Sequence, residues 1–175
     1  MYKRQLILRK EELTQPIETI YFGGGTPSLL TPQEIDFVLQ TVYDNFTIVD
    51  TPEITLEANP DDLTDAKITA LASSKINRLS IGIQSFFEED LKLMNRAHNQ
   101  TEALDCIKKA KQYFKNISID LMYGIPQMSP QRWQENIEKA LSLKVPHISC
   151  YVLTVEPKTA LERFIKNGII RPVDD

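Results

Sequence analysis

Three polar side chains close three short apolar runs in this chain. They are Glu57 in Ile54-Thr55-Leu56-Glu57-Ala58, Gln84 in Leu79-Ser80-Ile81-Gly82-Ile83-Gln84, and Asp120 in Ile117-Ser118-Ile119-Asp120-Leu121. The two carboxylates can accept hydrogen bonds from hydroxyls or an ammonium, and the amide of Gln84 can both donate and accept. Arg96, in Met94-Asn95-Arg96-Ala97-His98, offers a planar fork suited to a carboxylate. Upstream, Phe22-Gly23-Gly24-Gly25-Thr26-Pro27 places three glycines in succession. Such a run costs backbone entropy and is kept where the chain turns sharply or approaches a ligand closely. At the end of a parallel strand, that loop presents bare N–H and C=O groups to the strand-end crevice. The set suits a polar ligand carrying amine, carboxylate and sugar hydroxyls.

Taken singly, each member has a plainer reading. The glycines serve equally as a flexible turn, Glu57 as a carboxylate serving a helix cap, and Arg96 as half of a surface ion pair. Asp120 is harder to set aside, because a carboxylate between Ile119 and Leu121 is costly to bury without a partner. His98 reads as a helix-end residue and His147 as a strand-entry residue, while Trp133 and the Phe86-Phe87 pair read as packing. The set of strand ends, rather than any single member, points to a binding site.

The elements that position this set alternate. A short helical stretch precedes the strand Ile17–Phe22 and its glycine loop. Thr31, Pro32 and Glu34 then open a helix running to about Tyr43, with Thr31 and Glu34 as a capping box and Ile35, Val38, Leu39 and Val42 as its apolar stripe. Asp50-Thr51-Pro52 reads as a break before the strand Glu53–Ala58. A helix begins near Thr64, and the strand Arg78–Gln84 follows. Ser85-Phe86-Phe87-Glu88 carries a second capping-box spelling before helical pattern to Asn95 and again from Thr101 to Phe114. The strand Ile117–Met122, a helix opened by Ser129-Pro130, the strand His147–Leu153 and a helix capped by Thr159 and Glu162 complete the order. Strand–helix–strand alternation without hairpin signals implies parallel pairing through right-handed crossovers.

The strands are apolar on one face only. An open parallel sheet covered by helices on both sides is apolar on both faces. Here Ser80, Gly82 and Gln84, Thr55 and Glu57, and Ser118 and Asp120 make the second face polar or small. A curved or closed α/β barrel with a wet, ligand-lined interior accounts for that pattern. Glu57, Gln84 and Asp120 also fall late in their strands, at the end where α/β barrels gather binding residues.

Composition sets the outer bounds. With 175 residues the chain fits one domain or part of a larger one, and 42% hydrophobic and 25% charged residues are ordinary for a globular fold. A net charge of −4 leaves no basic footprint for nucleic acid. No apolar run approaches the roughly 20 residues of a membrane span, and the N-terminus lacks the features of a secretory signal. Cys106 and Cys150 stand far apart and outside any CxxC cluster. Both read as buried free thiols, which favours a cytoplasmic location.

The stretches YFGGGTPSLL (Tyr21–Leu30), EITLEANP (Glu53–Pro60), NRLSIGIQSF (Asn77–Phe86), IDLMYGIP (Ile119–Pro126) and HISCYVLTVEP (His147–Pro157) resemble the radical S-adenosylmethionine proteins of the oxygen-independent coproporphyrinogen III oxidase type. They occur in that family's order over nearly the whole chain. SLL, LEANP, SIGIQSF and LTVEP, with His98 two residues after Arg96, are more similar to its heme-chaperone branch than to its coproporphyrinogen dehydrogenase branch. The resemblance implies a partial (β/α)6 barrel, here its strands two to six without strand one. It implies that Gly24, Gly25 and Thr26 hold the methionyl part of S-adenosylmethionine. Glu57, Gln84, Arg96 and Asp120 match further cofactor-binding positions, and Thr154 lies near another.

The departure from the family is equally specific. The family's CxxxCxxC motif, whose three thiolates hold a 4Fe–4S cluster, lies on the loop after its first strand, and this chain has no such motif. On this reading the chain is the middle of a longer protein, and by itself it is expected neither to hold the cluster nor to cleave S-adenosylmethionine. In the complete protein, the family's reduced cluster splits the cofactor to a 5′-deoxyadenosyl radical. The dehydrogenase branch uses that radical to decarboxylate coproporphyrinogen III oxidatively, whereas the chaperone branch binds and delivers heme. A short paralogue keeping only a binding role is the remaining alternative. Without a strand one, the edge of Ile17–Phe22 is expected to recruit a second copy or to be covered by the N-terminal segment.

Overall fold

The computed structural model describes residues 2–171. Residues 1 and 172–175 lie outside the described residues. The elements are α1 (Tyr2–Leu8), β1 (Ile17–Phe22), α2 (Pro32–Asn45), β2 (Ile48–Ala58), α3 (Asp65–Ala72), β3 (Arg78–Gln84), α4 (Glu88–Leu93), α5 (Gln100–Tyr113), β4 (Asn116–Tyr123), α6 (Pro130–Ser142), β5 (His147–Val152) and α7 (Ala160–Lys166). The five strands pair in chain order, β1-β2-β3-β4-β5, and every pair is parallel. They form a curled half-barrel with helices outside, as the half-polar strands imply.

Register puts like residues in rows. Leu56, Leu79 and Ile117 align across β2, β3 and β4, and Ala58, Ile81, Ile119 and Ile148 form the next outward row. Leu56, Leu79, Ile81 and Ile119 are fully buried beneath the helices, against Ile35 and Leu39 of α2, Ile68 and Leu71 of α3 and Ile107 of α5 in the same core. Each such side chain contributes about 1.5–3 kcal/mol on burial. The inward rows are polar: Glu57, Ser80, Ser118 and His147 align, and so do Gly82, Asp120 and Ser149.

Helix starts follow their caps. Thr31 and Glu34 form the expected reciprocal box at α2, and Thr159 accepts from the Glu162 amide at α7. At α5, Asn99 and Glu102 make another box, so that helix begins one residue before the expected Thr101.

The expectations fail in three places. β2 begins at Ile48 rather than Glu53, and Asp50-Thr51-Pro52 lies within the strand. Between the Ile17–Ile48 and Thr19–Glu53 pairs the register shifts, so the extra β2 residues form an irregularity where proline's missing N–H costs no ladder bond. Cys150 is exposed rather than buried, because it lies on β5, which pairs only with β4 among the described residues.

The third is the capping-box spelling at Ser85-Phe86-Phe87-Glu88, which forms no box. Phe87 occupies the cap position of α4 without a side-chain bond, and Glu88 instead accepts from the Gln100 amide at the start of α5. Ser85 enters a buried network: its hydroxyl donates to Asp90 (2.7 Å), and Asn136 accepts from the Phe86 amide (2.7 Å) and donates to the Ser85 hydroxyl (3.2 Å). Arg132 closes the network on Asp90 at 3.0 Å. Asn136 is fully buried, so Asn136→Ala leaves the Phe86 N–H without a partner. Denaturant unfolding should show a loss of about 1–3 kcal/mol. An unchanged midpoint would mean that a water replaces the amide.

Candidate functional site

The strand ends meet in one place. Gly25, Thr26, Glu57, Gln84, Arg96 and Asp120 all line an open crevice of about 220 Å³ at the C-terminal ends of β1 to β4. Ser80, Gly82, Asn59 and Tyr151 line it too. A larger recess of about 470 Å³ opens at the opposite ends of the strands, floored by Glu53, Thr55, Arg78 and Asn116. Its polar groups engage one another: Asn116 donates to Glu53 at 3.0 Å and Arg78 to Thr55 at 3.3 Å. The C-terminal crevice, by contrast, keeps hydrogen-bonding capacity unspent.

The glycine loop owes its shape to backbone conformation. Gly24 and Gly25 have φ of 80° and 66°, which L side chains rarely adopt, and neither is crowded. Glu57 holds the loop in place, accepting from the Gly24 N–H at 3.0 Å through one oxygen and from the Tyr21 hydroxyl at 2.8 Å through the other. The carboxylate thus bridges the end of β1 to β2, a role the sequence does not reveal.

Gln84 stands at the end of β3 with φ 69°, beyond a register shift against β4. Its carbonyl Oε1 is buried and has no hydrogen-bond partner. A Cβ on Gly82 would come within 2.8 Å of Gln84 Nε2, so the glycine makes room for that amide. Arg96 donates to Asn59 Oδ1 at 2.6 Å and more distantly to the Gly82 carbonyl at 3.4 Å.

Asp120 is approached by the Ser80 hydroxyl, 3.4 Å from each of its oxygens. Burial pushes its carboxyl above the usual range, and the hydroxyls of Ser80 and Ser149 oppose that shift without cancelling it. Burial likewise raises the phenols of Tyr21 and Tyr151, so both remain protonated donors at neutral pH.

Thr154 does not join the group. It is exposed after β5, with its hydroxyl 3.4 Å from Glu156. Sequence reasoning placed Ser80 on the inward face by strand alternation without naming it a site residue; it missed Tyr21, Asn59 and Tyr151, and alternation could have flagged Tyr151, which faces inward with Asp120. It also read His98 as a helix-end residue, whereas the imidazole is buried. His147 is exposed at the start of β5, as expected, and Trp133 packs at 5.5 Å from Tyr123 beside the core.

The model of the Radical SAM superfamily matches residues 2–140. The chain belongs to the radical SAM superfamily. Among its curated relatives, the heme chaperone HemW of Lactococcus lactis is 37% identical over 163 residues, which are 92% of this chain and 43% of that protein. The mitochondrial radical S-adenosyl methionine domain-containing protein 1 of Mus musculus is 35% identical over 161 residues, 91% of this chain and 36% of that protein. The chain thus spans well under half the length of these relatives. In structure it is similar to the coproporphyrinogen III oxidase HemN of Escherichia coli, with a TM-score of 0.83 over 97% of this chain and 40% of that one, at 24% identity. That likeness shows the radical SAM fold.

The raised carboxyl of Asp120 has a consequence for this radical SAM chain. An acid whose folded pKa exceeds its unfolded value binds more protons when folded, so stability falls as pH rises through that interval and stays lower above it. Asp120→Asn removes the ionisable group. The variant should melt higher than the parent at pH 7, with the difference vanishing toward pH 4 and below. A lower melting temperature at pH 7 would show that the charge is stabilised in the unliganded fold.

Proposed function

We propose that this chain is the S-adenosylmethionine-binding half-barrel of a heme-chaperone-type radical SAM protein, acting in the cytoplasm. The observation that carries the proposal is the convergence of the glycine loop, Gln84, Arg96 and Asp120 on one crevice. The similarity to the Lactococcus lactis heme chaperone over 92% of the chain supports the branch.

The crevice fits the cofactor chemically. The buried, unpartnered Oε1 of Gln84 is an acceptor awaiting a donor, and hydroxyl and amine donors are what S-adenosylmethionine carries. Asp120 accepts from a hydroxyl or the ammonium, Arg96 has guanidinium N–H groups beyond those on Asn59 and Gly82 for the carboxylate, and the backbone of Gly25 and Thr26 receives the methionyl part. Gly24 and Glu57 keep that loop open, and Thr154 is not among the crevice's lining residues. When bound, S-adenosylmethionine supplies a sulfonium whose carbon–sulfur bond is open to reductive cleavage.

A 4Fe–4S cluster does not fit the donors described. Cys106 is buried on α5, with burial pushing its thiol up to about 12, and Cys150 sits alone on β5. Among the described residues no group of three or more His, Cys, Asp or Glu is placed to hold a metal ion. Heme or a porphyrinogen is the proposed cargo or substrate of the complete gene product. No described helix is long and apolar enough to cross a membrane.

Calorimetry on the complete gene product tests the reading. S-adenosylmethionine should bind, and Asp120→Ala should weaken it by about 1–3 kcal/mol, the worth of a hydrogen bond in a partly desolvated crevice. Hemin should bind, and coproporphyrinogen III should not be decarboxylated. Unchanged affinity in Asp120→Ala would remove Asp120 from the site, and decarboxylase turnover would move the protein to the other branch.

Self-association belongs to the same proposal. Helix α1 packs against α2, with Lys3 over the Phe37 ring, and β1 pairs only with β2 among the described residues. The free edge of β1 therefore recruits a second copy of the isolated chain. Sedimentation should show a species larger than the 20.0 kDa monomer. A strictly monomeric chain would refute the idea.

A further inference from the structure

The turn that aims Gln84 is held by a buried imidazole. The Ser85 N–H donates to the Ile83 carbonyl at 2.9 Å, closing a three-residue turn around Gln84 with its φ of 69°. That is the strained γ-turn geometry, which persists only where surrounding contacts over-determine it. The same Ile83 carbonyl lies 3.1 Å from Nε2 of His98, which is only 3% exposed. A carbonyl can only accept, so the proton of His98 sits on Nε2. Burial and the nearby Arg96 charge hold the imidazole below its ordinary pKa, which keeps it neutral at pH 7.

His98 also touches the other segments of the crevice. Its Nδ1 is buried without a hydrogen-bond partner and faces Asp61 Oδ1 at 3.7 Å, two residues after Asn59. Arg96 lies two residues before it on the same loop and donates to Asn59 at 2.6 Å. Cys106 of α5, near enough to feel the Asp61 charge, carries a protonated thiol, which leaves Asp61 and Arg96 as the charges bearing on the ring. One imidazole therefore touches the turn of Gln84, the segment of Asn59 and the loop of Arg96.

We propose that His98 is the positioning residue of the crevice, its Nε2–H bond to the Ile83 carbonyl fixing the turn that presents Gln84 to the ligand. The link to S-adenosylmethionine rests on the function proposed above; the link to the turn does not. His98→Gln keeps an N–H donor of similar reach, whereas His98→Ala removes it.

Three measurements on the complete gene product test this. Nitrogen chemical shifts of the imidazole at pH 7.5 should report the Nε2–H form, and an Nδ1–H form would overturn the proposal. Exchange of the Ser85 amide, which reads the turn directly, should accelerate about tenfold or more in His98→Ala and stay near the parent rate in His98→Gln. S-adenosylmethionine affinity should fall about tenfold in His98→Ala and recover to within about twofold in His98→Gln. A glutamine variant as impaired as the alanine variant in both exchange and affinity would make His98 a packing residue only, and the proposal fails. If the parent protein binds no S-adenosylmethionine, the function reading fails, and the Ser85 exchange alone then decides the role of His98.

Discussion

Everything in this molecule depends on a parallel sheet whose two faces have opposite polarity. Outward rows such as Leu56-Leu79-Ile117 need helices over them to escape water, and the inward rows must stay open because they hold Glu57, Ser80, Asp120 and Ser149. Register makes this possible. Side chains alternate with period two, so a slip of one residue between neighbouring strands would turn carboxylates into the core and isoleucines into the crevice. Fold and site are one constraint here.

The inward face is polar but not uniformly paired. At the N-terminal ends of the strands, Glu53, Arg78, Thr55 and Asn116 satisfy one another, and the recess they floor has little left to offer. At the C-terminal ends, Gln84 keeps an orphaned acceptor, and Asp120 has two long contacts from Ser80 with the Ser149 hydroxyl nearby. Leaving a buried polar atom unpaired costs about 1–3 kcal/mol, and the positive φ of Gln84 costs a similar amount. Two such costs fall at adjacent features of the proposed site. The buried Ser85–Asp90–Asn136 network lies immediately beyond and anchors the chain as it leaves the strained turn.

Glu57 illustrates how one side chain serves both fold and site. Its oxygens are already engaged by the Gly24 amide and the Tyr21 hydroxyl. It therefore acts first on the glycine loop, while also lining the crevice. Arg96 behaves similarly, tied to Asn59 on one side and free on the other.

Much of this was legible in the residues alone. Five half-polar strands, separated by capped helices with no hairpin turns, dictate a parallel half-barrel, because period-two alternation and crossover length depend only on local sequence. The placement of Glu57, Gln84 and Asp120 late in their strands predicted their convergence for the same reason. Tertiary structure alone decided the rest. The start of β2 at Ile48 depends on β1 lying alongside with a shifted register, which no local propensity encodes. Cys150 carries the apolar neighbours of a buried residue, yet its exposure is set by which strand forms the sheet edge. Ser85 and Glu88 spell a capping box and instead bond to Asn136, Asp90 and the Gln100 amide, because partners distant in sequence outcompete the local one. His98 looked like the end of a helix; its burial follows from the packing of its loop under the end of β3, a proximity that exists only in the folded chain.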